Sequence, residues 1–367
     1  MRAVTIRDKE ILVEDHPDPE PGSGEILVRV RAAGINGADI MQRGGMYPAP
    51  PGSPQDIPGL EFAGEVVALG PGATRFGLGD RVMAVVGGGG QAGLATVHER
   101  QAMPVPDALD WPQAGGTPEV FTTAHDAIFT QARLDAGERF LVHGAAGGVG
   151  TAAVQLGAAA GARVTATVRR AEARDAVREL GAHEVIDPEG FEEHGPFDVI
   201  LELVGAPNLG ANLKAVATQG RIVVIGIGAG AKGEINLRDL MSRRVTLRAS
   251  TLRPRPLEEK ALTARAMERH VLPLFESGAL HVPVAATFPL ERAAAVRGPL
   301  ALRGEVLLDT HRGAGVGPLD DRVRLELRAR RGPVVGAEPA PETLRRIHPP
   351  SVTRTILPIL PPSANRS

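Results

Sequence analysis

The chain of 367 residues contains no cysteine. Disulfides, a thiolate nucleophile, an iron–sulfur cluster and cysteine-ligated zinc are thereby excluded. Lysine is scarce too: four of the 41 basic residues, a bias that, beside 45 glycines and 31 prolines, reads as genome composition rather than function. No run of eighteen apolar residues occurs, so no membrane-spanning helix is expected. The opening MRAVTIRDKE runs straight into a strand-like pattern without the apolar stretch of a signal peptide, and a cytoplasmic location is the expectation. Nor is either sign of charge in excess. A formal net charge of −2 gives no reason to expect nucleic acid as the main partner.

What is present is the composition of a globular chain, with 43% hydrophobic and 23% charged residues, and a length that suggests two domains. From His311 onward there are ten arginines, five acidic residues and nine prolines, a local charge of +5 that leaves −7 on residues 1 to 310. Residues 311–367 show no sustained periodicity and are expected to form a disordered Pro/Arg-rich tail, either a solvated appendage or a basic arm for nucleic acid or an acidic partner.

Residues 1–120 read as short strands separated by Gly and Pro turns, Glu25 to Arg31 and Phe62 to Ala68 being the clearest. From 121 to 260 the pattern changes. Strands are expected at Phe140 to His143, Arg163 to Val168, Asp198 to Leu203 and Arg221 to Ile225, with helices at Thr151 to Ala160, Ala171 to Leu180 and Asn208 to Thr218. That rhythm predicts a doubly wound parallel sheet. A long helix is expected over Glu258 to Glu276, after which short strands return at Thr287 to Leu290 and Val306 to Leu308, residues 261–310 rejoining the β-rich domain. The fold class is α/β: a β-rich domain made from both chain ends, with a nucleotide-binding sheet between them.

Between the strand ending at His143 and the following helix lies Ala145-Ala146-Gly147-Gly148-Val149-Gly150, which fits the dinucleotide fingerprint as A-x-G-x-x-G. Ala145 permits the tight turn, Gly147 lets the backbone approach a pyrophosphate, and Gly150 allows close helix–strand packing; with Gly148 and Val149 they form the expected cofactor turn, and the helix N-terminus after it offers its N–H groups to the phosphates. An NAD site would carry an acid at the end of the second strand. Here that place reads Thr167-Val168-Arg169-Arg170. Two guanidinium groups suit the 2′-phosphate of NADPH, although either could instead cap a solvated helix start.

The segment Gly137 to Leu141 with Ala145 to Gly150 and Gln155 resembles the quinone oxidoreductase and zeta-crystallin signature of the medium-chain dehydrogenase/reductase superfamily. Asp56 to Gly64 and Gly79-Asp80-Arg81-Val82 are similar to that superfamily as well. Three further segments resemble the subgroup of the p53-inducible quinone oxidoreductase: Ala38 to Arg43 with Tyr47 and Pro48, Gly88-Gly89-Gly90-Gln91-Ala92, and Leu252-Arg253-Pro254-Arg255. The resemblance covers residues 1 to 310. It implies a GroES-like catalytic domain around a Rossmann domain, and a homodimer joined through the Rossmann edge strand near 245–251.

Zinc-dependent relatives place histidine where Leu60 stands, so the resemblance together with the missing cysteines implies a zinc-independent enzyme. Its substrate would be a quinone or another conjugated carbonyl, with alkene reduction in enals and enones as the alternative, or NADPH binding without catalysis. It also implies that Asn36 and Tyr47 face the substrate oxygen and that Thr123 lies near the nicotinamide, unless Thr123 is simply a helix cap. Arg253 and Arg255 match a run that implies cofactor or pocket contact. The chain departs from the family pattern at Leu94, where an aromatic is usual, and at Arg170, Ala173 and Glu305, where serine or lysine is usual. His143 reads as a packed strand residue, and Asp39 and Glu61 as carboxylates bound to backbone turns.

Overall fold

The computed structural model describes residues 1–295 and 305–309. The expected tail at 311–367 lies outside these residues. The chain starts with a hairpin, β1 (Arg2–Arg7) and β2 (Glu10–Asp15), turned by Asp8 and Lys9, both at positive φ. That pair of left-handed residues matches the right-handed twist of the flanking strands.

The long strand β3 (Glu25–Ile35) organises the β-rich half. Its alternation sends Ile26, Val28 and Val30 inward, and all three are fully buried. β4 (Glu61–Leu69) pairs antiparallel with β3, β5 (Arg81–Val85) with β4, β6 (Leu94–His98) with β3, and the short β7 (Met103–Pro104) with β5. Between β3 and β4 runs a short helix, α1 (Gly37–Arg43), followed by a Gly- and Pro-rich loop.

Two helices lead out of this half. α2 (Trp111–Gly115) begins at Asp110, whose side chain accepts from the Gln113 N–H while Gln113 Oε1 accepts from the Asp110 N–H. α3 (Pro118–His125) starts on a proline and widens into a π-helical turn over Asp126–Gln131.

The second half is a six-stranded parallel sheet. Its strands are β8 (Arg139–Val142), β9 (Arg163–Thr167), β10 (Glu184–Ile186), β11 (Phe197–Glu202), β12 (Val216–Val224) and β13 (Thr246–Ala249). They lie in the order β10-β9-β8-β11-β12-β13, which is 3-2-1-4-5-6 in the count of this sheet. A doubly wound sheet in this order opens a crevice at its switch point, here between the C-terminal ends of β8 and β11. The helices between these strands are α4 (Gly148–Ala159), α5 (Arg174–Glu179), α6 (Leu209–Ala215) and α7 (Leu237–Arg243).

Two expected helices are corrected. The one expected over Asn208 to Thr218 ends at Ala215, because Val216 is extended, buried and paired with Phe197 at the start of β12. β-Branched valine inside the sheet wins over helical continuation. The long helix over Glu258 to Glu276 is two, α8 (Leu257–His270) and α9 (Leu272–Glu276), broken where Pro273 offers no N–H.

β14 (Val284–Pro289) and β15 (Glu305–Asp309) then return to the first sheet, β15 pairing antiparallel with residues 32–35 of β3. Both ends of the described chain therefore build one seven-stranded sheet. The halves share a hydrophobic core that runs from Met83 and Met103 through Phe121 and Phe275 to Phe140 and Val164. Phe121 and Phe275 meet edge to face, with ring centroids 4.9 Å apart.

Candidate functional site

The Gly-rich turn follows β8 directly, at the switch point of the parallel sheet. His143, fully buried, follows the strand: its ring bonds Thr167 at 3.2 Å and Asn212 at 2.8 Å, and it stacks edge-on against Phe191. Burial, the largest influence on it, lowers its pKa. His143 is thus a packed residue, as expected, but it lies immediately after β8 and not within it. Behind the turn, Glu202 accepts from the N–H groups of Val204 and Gly205 and from Asn212 Nδ2, which fixes the end of β11.

Within the turn, Gly144 takes φ +61°, and Ala145 is buried and donates its N–H to Thr167 O. Gly150 packs so tightly that a Cβ there would sit 2.5 Å from Gly144 O. Gly147 is the N-cap of α4 and has no side chain to satisfy the first helical N–H groups. Those of Gly148, Val149 and Gly150 have no acceptor within the helix, and they offer partial positive charge to an anion. The turn therefore fits a dinucleotide pyrophosphate in both shape and donor set.

Beyond β9, Arg169 is exposed and makes no ion pair among the described residues. Arg170 is half-buried, and its guanidinium comes only within 3.9 Å of Glu172. A phosphate arriving at this corner would find two cations with little competition.

The other side of the site is built on α1 and α3. Asn36 is the N-cap of α1, with its N–H donating to Asp39 Oδ2 at 2.8 Å. Its amide Nδ2 donates to Glu61 Oε1 at 2.7 Å. Glu61 Oε2 in turn accepts the N–H of Glu119 at 2.8 Å. Thr123, one turn along α3, donates to Glu119 Oε1 at 3.4 Å. Asn36 and Thr123, 87 positions apart, are thereby joined through two glutamates.

These carboxyls lie in an apolar setting that opposes ionisation. Burial pushes Asp39 up to about 6, against the pull of the Asn36 and Gly59 N–H groups and of Arg253. Glu61 is pushed up to about 8, chiefly by burial, with Glu119 and Asp39 adding to the rise. Glu119 rises to about 7 for the same first reason. Its Oε2 and the hydroxyl of neighbouring Thr122 are buried without a hydrogen-bond partner among the described residues.

Tyr47 lies in the loop after α1. Its hydroxyl is 3.3 Å from Thr251 Oγ1, and the Arg253 guanidinium stacks over its ring. Arg253 is buried, while Arg255 bonds Asp126 Oδ2 and Ser250 Oγ, both at 2.6 Å. The sequence pattern implied cofactor or pocket contact for these arginines, and the structure places both guanidinium groups on protein partners.

Three participants escaped the sequence reading: Glu119, Gln91, which donates to Asp39 Oδ2 and Gly34 O, and the extent of Glu61's role. A signal for Glu61 existed in Gly34, where a Cβ would sit 2.1 Å from Glu61 Oε1. Leu60, in the position where zinc-dependent relatives place histidine, is buried. Among the described residues, no group of three His, Cys, Asp or Glu is arranged to hold a metal ion.

Two family models match the chain: the alcohol dehydrogenase GroES-like domain over residues 22–107 and the zinc-binding dehydrogenase over residues 148–268. Quinone oxidoreductases of rat and human are each 32% identical, covering 75% of this chain and 85% of the relative. Among solved structures, a mycobacterial protein determined in complex with NADPH superposes with a TM-score of 0.74 at 28% identity, over 84% of this chain and 99% of that one.

Proposed function

The chain belongs to the quinone oxidoreductase family of the medium-chain dehydrogenase/reductase superfamily, and from that premise we propose that it reduces quinones with NADPH, without a metal ion. It is an NAD(P)H-dependent oxidoreductase. The observation that carries the NADPH preference is the pair Arg169 and Arg170 at the end of β9, where a carboxylate would be needed to hold an unphosphorylated ribose. Metal independence rests on Leu60 and on the absence of any cysteine from the sequence.

When bound, the dihydronicotinamide supplies a hydride from C4. The chain's own residues bind and orient. The N–H groups opening α4 hold the pyrophosphate, and Thr123 borders the nicotinamide from α3. Asn36 directs one amide N–H to Glu61, which leaves the other free for a quinone oxygen. The Tyr47 hydroxyl faces the same oxygen from the loop after α1, and both donors favour the negative charge that builds there as hydride arrives. Of the buried carboxyls around Asn36, Glu61 keeps its proton at physiological pH, while Asp39, with its lower value, carries a charge that Arg253 offsets. The exposed edge strand β13 pairs with a second copy in a homodimer.

The test is NADPH and NADH oxidation measured against a quinone, an enal and an aliphatic aldehyde, with the wild type beside Arg169→Ala/Arg170→Ala. Quinone-dependent oxidation that prefers NADPH is expected. The double variant should lose about ten- to a hundred-fold in NADPH affinity, the effect of roughly 1.5–3 kcal/mol for one charge-assisted phosphate bond, with NADH unaffected. Turnover confined to the enal would move the reaction to alkene reduction. An unchanged NADPH/NADH ratio would remove the arginine assignment.

A further inference from the structure

We propose that Arg253 is the positioning residue that holds Tyr47 in place, and that it is no ligand of the cofactor phosphates. The residue is only 3% exposed, and three of its five N–H donors are spent on the β-rich half. Nε donates to Gly87 O at 2.8 Å, Nη1 to Tyr47 O at 3.0 Å and Nη2 to Gln42 Oε1 at 2.6 Å. The same group lies 5.0 Å from the centroid of the Tyr47 ring. Two residues further back, Thr251 reaches the Tyr47 hydroxyl at 3.3 Å. Tyr47 is therefore gripped at its carbonyl, its ring face and its hydroxyl by one short segment more than 200 positions away.

The loop has reason to need such a grip. Pro48, Pro50 and Pro51 cannot donate backbone hydrogen bonds, and Gly45 and Gly52 take positive φ. The segment that grips it is itself tied down. Arg255 bonds Asp126, which is buried immediately after α3, the helix that carries Thr123. The run from 251 to 255 thus sets Tyr47 relative to Thr123. Arg253 sits close to acidic groups that favour its charge, Asp39 and Glu119, while burial opposes it. Unlike Arg169, it has no free face to offer a phosphate.

The inference rests on the reading of Tyr47 as a substrate-side group, and the experiment separates the two. Tyr47 is the only tyrosine and Trp111 the only tryptophan of the chain. 3-Fluorotyrosine labelling of the full chain therefore gives one ¹⁹F resonance from the loop, and Trp111 fluorescence reports the fold independently. Arg253→Lys keeps a charge but loses the three-way fork, and Thr251→Val removes only the hydroxyl contact.

With the Trp111 signal unchanged, Arg253→Lys should move the ¹⁹F resonance toward the position of free fluorotyrosine, and Thr251→Val should shift it in the same direction by less. Arg253→Lys should also raise KM for the quinone about ten-fold, with kcat and the NADPH Kd changing less than about two-fold. A resonance unmoved in both variants would overturn the proposal, as would a ten-fold loss of NADPH affinity with the resonance in place. If the wild type reduced no quinone, the substrate role of Tyr47 would fall and the ¹⁹F shift would still decide the clasp. If Arg253→Lys failed to fold, Thr251→Val would decide it.

Discussion

Glu61 is a carboxyl with no exposed surface, set between the Asn36 amide and the Glu119 N–H. Its raised pKa makes stability depend on pH. Between the ordinary glutamate value of 4.5 and about 8, the folded chain keeps a proton that the unfolded chain releases. Stability therefore falls as pH rises through that window. His125, buried against His270 and pushed down to about 3 mainly by burial, acts in the opposite sense but only below its ordinary value of 6.5. From pH 6.5 to 9 the carboxyls act without it. The wild-type Tm should drop over that range and the drop should shrink in Glu61→Gln; equal drops by scanning calorimetry would show that Glu61 ionises freely. The sequence shows Asn36 and Tyr47 through their motif, and it shows Asp39 and Glu61 as carboxylates on turns. It hides Glu119, because nothing local marks a glutamate in the first turn of a helix as facing Glu61 and Thr123. It also hides the direction of Arg253, since an L-R-x-R run tells that two cations are present and not which half of the molecule they enter.

At the scale of elements, the strand–turn–helix of β8 and α4 was legible because glycine there answers a steric demand. Gly150→Ala places a methyl 2.5 Å from Gly144 O, so the turn must open. The expected result is a loss of about 1–3 kcal/mol in stability together with weakened NADPH binding, read by chemical denaturation and by titration. Gly210 on α6 is the contrast: exposed, with nothing within 4 Å of an added Cβ. Gly210→Ala should stabilise by about 0.5–1 kcal/mol and leave NADPH binding unchanged. Of the two missed boundaries, the break between α8 and α9 lies at a proline that the sequence shows, whereas the end of α6 is set by long-range pairing. The pairing of Val216 with Phe197 ends α6, and no window of sequence around Val216 contains its partner.

Across the whole molecule, the alternation of strands and helices revealed the parallel sheet, and β13 is one of its two edges. Beside that edge, α7 exposes Leu237 at 67% and Met241 at 77%, four positions apart and so on one helical face. Apolar side chains bordering the open side of an edge strand suit a second copy of the chain. Light scattering after size exclusion should give a dimer for the wild type and a shift toward monomer for Leu237→Glu/Met241→Glu. A monomeric wild type would remove the edge-to-edge assembly. The joining of the two halves was less legible. The shared core through Phe121 and Phe275 comes from α3 and α9, whose contact follows from how the sheets are placed.

The sheet built from both chain ends also orders events during synthesis. Residues 32–35 of β3 leave the ribosome long before their partners in β15, Val306 to Asp309, exist. The parallel sheet, contiguous in sequence from β8 to β13, can close while that edge of β3 still waits. Such distant pairing slows folding and leaves a strand edge open to other chains in the interval. A nascent chain halted just after β13 would carry a completed parallel sheet, still without α8 and α9, beside an unclosed β-sheet, so translation rate in the last third of the message governs how long this protein is prone to aggregate.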